Sequence, residues 1–260
     1  MRRDVRVRYK QAAMGFLWAL FMPVVVVLSG LIVRLVMTQF GGAELDTSVI
    51  GGLAVKAVPW GFFVGGLSIS TMSLVANRGL VTKVYFPREV LPVSALLAQG
   101  FDTTVATIGV IFMLPLIGGT LSVNLLWVPV LIVLLFCLVL ALGLVFSCAN
   151  VFFRDVRYII QVLLTFGIFF TPVFFEPFML GALGADLIML NPVAPLLEGF
   201  RLTVIEGLPL TQTLTTEFQG DSIVMWRPAY LAYSAVWAIG GLAVASRWFR
   251  SGVTSFAEYA

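Results

Sequence analysis

Arg34, Lys56 and Asp102 each stand inside a long apolar stretch of the sequence. A charge at hydrocarbon depth is costly, so such a residue faces a partner, a cavity or a passage. Asp102 offers the most chemistry, because a carboxylate at that depth could relay protons. A relay needs a second station, and the chain has no histidine. Asp102 therefore reads as a polar group of a cavity wall or a gate. Lys56 either snorkels to the headgroups or pairs across helices with an acid. Arg34 lies near the end of its apolar run and is expected to reach the headgroups. Without histidine, zinc–His sites, Ser-His-Asp triads and His proton shuttles are excluded. Cys137 and Cys148 share one apolar tract and read as small buried hydrophobes, not as a metal site. No GxxxxGK[ST] phosphate loop is present, so any ATP and Mg must be held by a separate partner and not by this chain.

The elements that carry these residues follow from composition. The chain has 260 residues, of which 60% are hydrophobic and 11% charged, and its mean hydropathy is +1.03. Soluble domains run about 25% charged, and this chain has too few charges to cover a soluble surface. Crossing the hydrocarbon core takes roughly 20 apolar residues in a helix. Six runs of that kind are predicted, at 15–33, 49–75, 91–117, 125–149, 158–175 and 228–245. Each is continuous and about twice the length of a β-barrel strand, so helices are expected throughout. The chain is thus read as an all-α integral membrane protein forming a single transmembrane domain over 1–260. The first run is too long for a signal-peptide core and lacks a convincing cleavage site, which makes it a retained span.

The flanking charges orient the spans. One side collects Arg2, Arg3, Arg6, Arg8, Lys10, Arg78, Lys83, Arg88, Arg154, Arg157, Arg247 and Arg250 against Asp4, Glu89, Asp155 and Glu258. The other has Glu44, Asp46, Glu176, Asp186, Glu198, Glu206, Glu217 and Asp221 against Arg201 and Arg227. Basic flanks stay in the cytoplasm, so both termini are expected there.

Three segments outside the spans carry information. Residues 1–14 have Val5, Tyr9 and Ala12 or Ala13 at helical spacing among basic groups, the pattern of an amphipathic helix on an anionic leaflet. In the cytoplasmic loop 76–92, Leu80, Val84 and Val81 share one side of a short helix ended by Pro87, with Tyr85 and Phe86 beside them. Such a helix suits a groove on a partner; a solvated turn against the membrane is the competing reading. Arg154, Asp155 and Arg157 link two spans and suit local ion pairs. On the other side, 176–226 holds two apolar pieces, 177–190 and 192–205, each too short to span. They are expected to be re-entrant or interfacial helices about the turn Asn191-Pro192.

Four segments together resemble a known family: RDVRVRYKQAAMGFLWALFMPVVVV (3–27), NRGLVTKVYFPREVLPVSALL (77–97), ANVFFRDVRYIIQVLLTFGIFFTPVFF (149–175) and NPVAPLLEGFR (191–201). In that order they look like the membrane subunit of a polysaccharide ABC exporter of the O-antigen, teichoic acid or capsule type, within the type-2 ABC exporters. The resemblance implies a six-span permease that forms a homodimer on two copies of a separate ATPase in the bacterial inner membrane. It implies an undecaprenyl-linked glycan as cargo. It assigns Asn77, Arg78, Leu80, Val81, Lys83, Val84, Tyr85 and Arg88 to a coupling helix. It assigns Arg154, Asp155 and Arg157 to an inner-face motif. Asn191, Pro192, Glu198 and Arg201 match an outer re-entrant motif. Phe169, Phe174 and Phe175, with Asp102, are candidates for the channel wall or gate. A drug or small-lipid exporter of the same architecture is the alternative. A membrane enzyme that modifies lipid or glycan is a remoter one, since no paired carboxylates stand on the cytoplasmic side.

Overall fold

The computed structural model describes residues 17–41, 47–79, 87–116, 118–218 and 221–253. The predicted surface helix at 1–14 lies outside them. So do Leu80, Val81, Lys83, Val84 and Tyr85 of the predicted coupling helix.

The elements run in chain order as α1 (Leu17–Gly41), α2 (Thr47–Ala76) and α3 (Val90–Met113). A 3-10 turn, Val123–Leu126, leads into α4 (Trp127–Phe152). Then come α5 (Val156–Gly167), continued as a 3-10 turn to Phe170, and the short helices α6 (Gly181–Met189) and α7 (Ala194–Val204). A hairpin of β1 (Leu214–Phe218) and β2 (Asp221–Trp226) precedes α8 (Pro228–Ala235). A π-helical turn, Val236–Gly240, joins α8 to α9 (Gly241–Val253), so the last apolar run is one helix with a local bulge.

Four of these helices are long and apolar enough to cross a membrane: Ser48–Ala76, Val90–Met113, Val123–Phe152 and Pro228–Ser251. The predicted fifth span, 158–175, is shorter than expected. Its helix stops at Phe170, and Thr171 turns extended at φ −130°, ψ 136°. Pro172 explains the stop, because a proline disfavours helical geometry in the residue before it. At 1.5 Å per residue, Val156–Phe170 rises about 22 Å, less than a hydrocarbon core of about 30 Å.

The centre of the molecule is α2. In its most apolar window 72% of residues are buried, against 11% for α3. It packs on α1, α3, α4 and α7, and at one point it meets α4 through two small residues. A Cβ at Gly143 of α4 would stand 2.8 Å from Ser70 Cβ of α2. In lipid, where apolar surface gives helices no reason to associate, such close backbone approach supplies the packing. Gly143→Val should therefore force the two helices apart at a cost of about 1–3 kcal/mol. A lower thermal midpoint of the detergent-solubilised protein is expected. An unchanged midpoint would mean the contact is not tight.

The described residues are mostly helical, as expected of an all-α membrane protein, with one local exception. The polar segment before the last span forms an antiparallel hairpin, with Thr216 opposite Ile223 and Glu217 opposite Ser222. Along β1 exposure alternates from residue to residue, as a strand with one covered face requires. Phe218 meets Phe178 edge-on at 5.7 Å, and fully buried Trp226 donates Nε1–H to the Leu210 carbonyl at 3.0 Å. The hairpin thus sits on the turn before α6, on α6 itself and on the loop after α7.

Candidate functional site

Two of the ionisable residues of the apolar stretches, Arg34 and Lys56, converge with the end of α5 and the short helix α7. Arg34 belongs to α1, Lys56 to α2, Glu176 to the turn after α5, and Glu198 and Arg201 to α7. All five are buried, Lys56 and Glu198 completely.

Arg34 is not at the headgroups. Its guanidinium pairs with Glu176, donates Nε–H to the Phe174 carbonyl at 3.1 Å and approaches Met179 Sδ at 3.2 Å. Lys56 does not snorkel either. It donates Nζ–H to the Phe175 carbonyl at 2.8 Å, and the Glu198 carboxylate offsets its charge across space. The broken end of α5 makes both contacts possible. Once the helix stops, the carbonyls of Phe174 and Phe175 have no helical partner and take side-chain donors instead. Arg201 reaches Glu198 Oε1 through Nε at 2.9 Å and Nη2 at 2.5 Å, and pairs with Glu206 through Nη1. Its Nη2 also lies 3.4 Å from Met225 Sδ on β2, which brings the hairpin into the network. The two ion-pair groups adjoin at Gly52. A Cβ there would meet Arg201 Cδ at 3.2 Å and Glu176 Oε1 at 3.9 Å.

The result is a set of three cations and three carboxylates, buried except for Glu206, which is exposed at its edge. Among the described residues only the second oxygen of Glu198, Oε2, and Asn150 Oδ1 are buried side-chain atoms without a hydrogen bond. Burying ion pairs gives little net stability, but removing one member of such a set is severe. The network therefore fixes one geometry: α7, the end of α5 and the hairpin stay docked on α1 and α2.

Asn191 and Pro192 make a second attachment. The Asn191 amide donates to the Phe170 carbonyl at 3.2 Å and to Thr171 Oγ1 at 3.0 Å, and its Oδ1 accepts from Val193 N–H at 3.1 Å. Ser234 of α8 donates to the Pro192 carbonyl at 2.9 Å, and Tyr233 donates to the Leu190 carbonyl at 2.8 Å. The turn thus ties α5, α7 and the last long helix together. Asn191→Ala removes three hydrogen bonds and leaves half-buried backbone groups unmet, for an expected loss of about 1–3 kcal/mol. A falling unfolding midpoint, with more proteolysis between α5 and α7, checks this.

Of the remaining predicted residues, Phe174 and Phe175 touch this network through their backbone carbonyls. Phe169 is largely exposed, whereas Phe174 is buried behind it, the two rings meeting edge-on at 6.4 Å. Phe175 is half-buried and contributes its carbonyl, not its ring, to Lys56. Asp102 is half-buried on α3. At the opposite end of the molecule, the Asn77 amide donates to the Ser73 carbonyl at 2.8 Å, closing the end of α2. Arg78 and Arg88 flank the loop and are half-buried. Arg154, Asp155 and Arg157 are exposed, and no salt bridge joins them to one another among the described residues. Arg157 instead stacks on Tyr158 at 4.4 Å and donates to its hydroxyl at 2.5 Å.

Glu176 and Glu206 enter the network without having been singled out in the sequence. The Glu198–Arg201 pair had a readable signal, since residues three apart share a helix face. Arg34 and Glu176 are 142 positions apart, and no local pattern links them.

Several long apolar helices, with short ones folded back onto them through buried ion pairs, make this a multi-pass membrane protein. Comparison of the sequence with known families then gives its kind. The chain belongs to the ABC-2 type transporter family, whose model matches residues 1–205. Two Klebsiella pneumoniae proteins named O-antigen export system permease protein RfbA are 24% identical to it, one over 207 residues and one over 206, covering 79% of this chain and 78% of each relative. A Myxococcus xanthus protein of the same name is 25% identical over 230 residues, covering 87% of this chain and 86% of the relative.

Proposed function

We propose that this chain is the membrane subunit of an ATP-driven exporter that moves a lipid-linked polysaccharide, an O-antigen-like glycan, across the bacterial inner membrane. The observation that carries this reading is the similarity over most of the chain to O-antigen export permeases of two different bacteria. In this reading the chain has six spans, the two beyond the four long ones being α1 and α5, and both termini are cytoplasmic. It works as a homodimer on two copies of a separate ATPase that binds ATP and Mg. The loop at 77–88 docks on that ATPase, and the motif Arg154, Asp155 and Arg157 lies at the same face. Exposed Phe169 stands where a passage between two copies could be lined. The charged network holds the outer short helices over the exit.

Deleting the gene in its source cell tests the cargo. Loss of surface polysaccharide with lipid-linked polymer retained in the cytoplasm is expected, reversed by the wild-type gene. Normal surface polymer with altered sensitivity to toxic small molecules would replace this reading by export of a drug or small lipid.

A further inference from the structure

We infer that the slot between α3 and α4 is a binding site for an acyl chain of a bilayer phospholipid. The two helices follow one another in sequence, yet both pack mainly on α2 and touch each other little. The space left between them is a cavity of about 740 Å³, floored by Val58 and Phe62 of α2 and closed at one end by Phe200 and Val204 of α7.

Three properties identify the occupant. The first is chemistry. No charged or amide side chain lines the slot, and its only hydroxyls are Thr103, Thr104 and Thr107. Each of these donates back into α3, to the carbonyls of Gln99 at 3.0 Å, Gly100 at 2.8 Å and Thr103 at 2.8 Å. No donor is left that asks for a polar ligand, and the threonines add their methyl groups to an alkyl surface. The second is shape. The lining runs along α3 from Leu97 to Leu114, a rise of about 25 Å at 1.5 Å per residue. A slot parallel to the spans suits an extended chain lying along the bilayer normal. The third is depth. The walls are two of the helices long enough to cross a membrane, and the lining of α4 comes from its N-terminal half. The solvent at that depth is hydrocarbon, so the bilayer supplies the chain directly.

Gly100 gives the handle for a test. It lines the slot, and a Cβ placed there meets no atom within 4 Å. A large side chain at this position therefore fills the slot without displacing protein. The full chain would be reconstituted in phosphatidylethanolamine–phosphatidylglycerol vesicles doped with a phospholipid carrying a diazirine in its acyl chain. After photolysis, labelled peptides are mapped by mass spectrometry. Labelling of Thr103, Thr107 and Ile132 should exceed that of Ile239, an exposed residue of the last long helix. Gly100→Trp should cut slot labelling severalfold and leave Ile239 unchanged. Thr107→Phe, a smaller intrusion, should give a partial loss and serves if the tryptophan variant fails to fold. Uniform labelling, or slot labelling untouched by either variant, overturns the site. So does efficient disulfide linkage between two copies of Thr104→Cys, which would make the slot a contact with a second chain.

Discussion

Arg201→Met should leave little folded protein. The substitution keeps most of the side-chain volume but strands Glu198, which is fully buried, and takes away the cation that also holds Glu206. Breaking one partner of a buried ion pair costs about 3–5 kcal/mol, because the surviving charge keeps its desolvation penalty and loses its compensation. Overall stabilities are about 5–15 kcal/mol, so the loss is a large share of the total. The expected result is a sharp fall in monodisperse protein after detergent extraction, and a much lower unfolding midpoint for what remains. Glu198→Leu alone should be comparably harmful, since it leaves Arg201 and Lys56 with too little negative charge. The double variant Glu198→Leu/Arg201→Met removes one charge of each sign and should recover much of the stability. A cycle of the two singles and the double isolates the coupling. Additive effects would mean that the two residues stabilise the protein independently, and that the network does not act as a unit.

Val84→Asp should abolish assembly with the ATPase proposed to drive transport. Val84 lies outside the residues described by the structure, so this expectation stands on the sequence: Leu80, Val81 and Val84 on one side of a short segment ended by Pro87. An apolar side inserted into a partner groove carries most of the binding energy in a few anchors. Placing a carboxylate among them costs about 2–4 kcal/mol, roughly thirtyfold or more in affinity. Co-purification of tagged permease with the ATPase should fail, and export with it, while the permease stays folded. Arg201→Met acts the opposite way, on folding first. Wild-type assembly and export in Val84→Asp would remove the docking assignment and leave the folded frame untouched.

What the sequence discloses here depends on the range of the interaction that does the work. The long spans are legible because each is one continuous apolar run with its own hydrogen bonds. The end of α5 was legible in principle, in Thr171-Pro172, yet the apolar run continues through it to Phe175 and hides the stop. The hairpin is obscured for the opposite reason. Its strands are five and six residues long and polar on one face, so they resemble a loop. Lys56 and Arg34 announce themselves as anomalies in apolar runs, but their partners do not. Lys56 meets a carbonyl 119 positions away, and only the fold brings the two together. Arg154, Asp155 and Arg157 show the reverse error, where closeness in sequence suggests ion pairs and no salt bridge joins them to one another among the described residues.

The balanced composition of the network, with Glu206 at its exposed edge, has an electrical consequence. Arg34, Lys56 and Arg201 are matched by Glu176, Glu198 and Glu206. Moving one elementary charge through the full membrane potential is worth about 2.3 kcal/mol per 100 mV. A group of six charges that sums to zero and shifts as a body carries no gating charge. That cancellation holds only while the pieces stay docked, because Arg34 and Lys56 belong to α1 and α2 whereas the docked segments carry Arg201 against Glu176, Glu198 and Glu206.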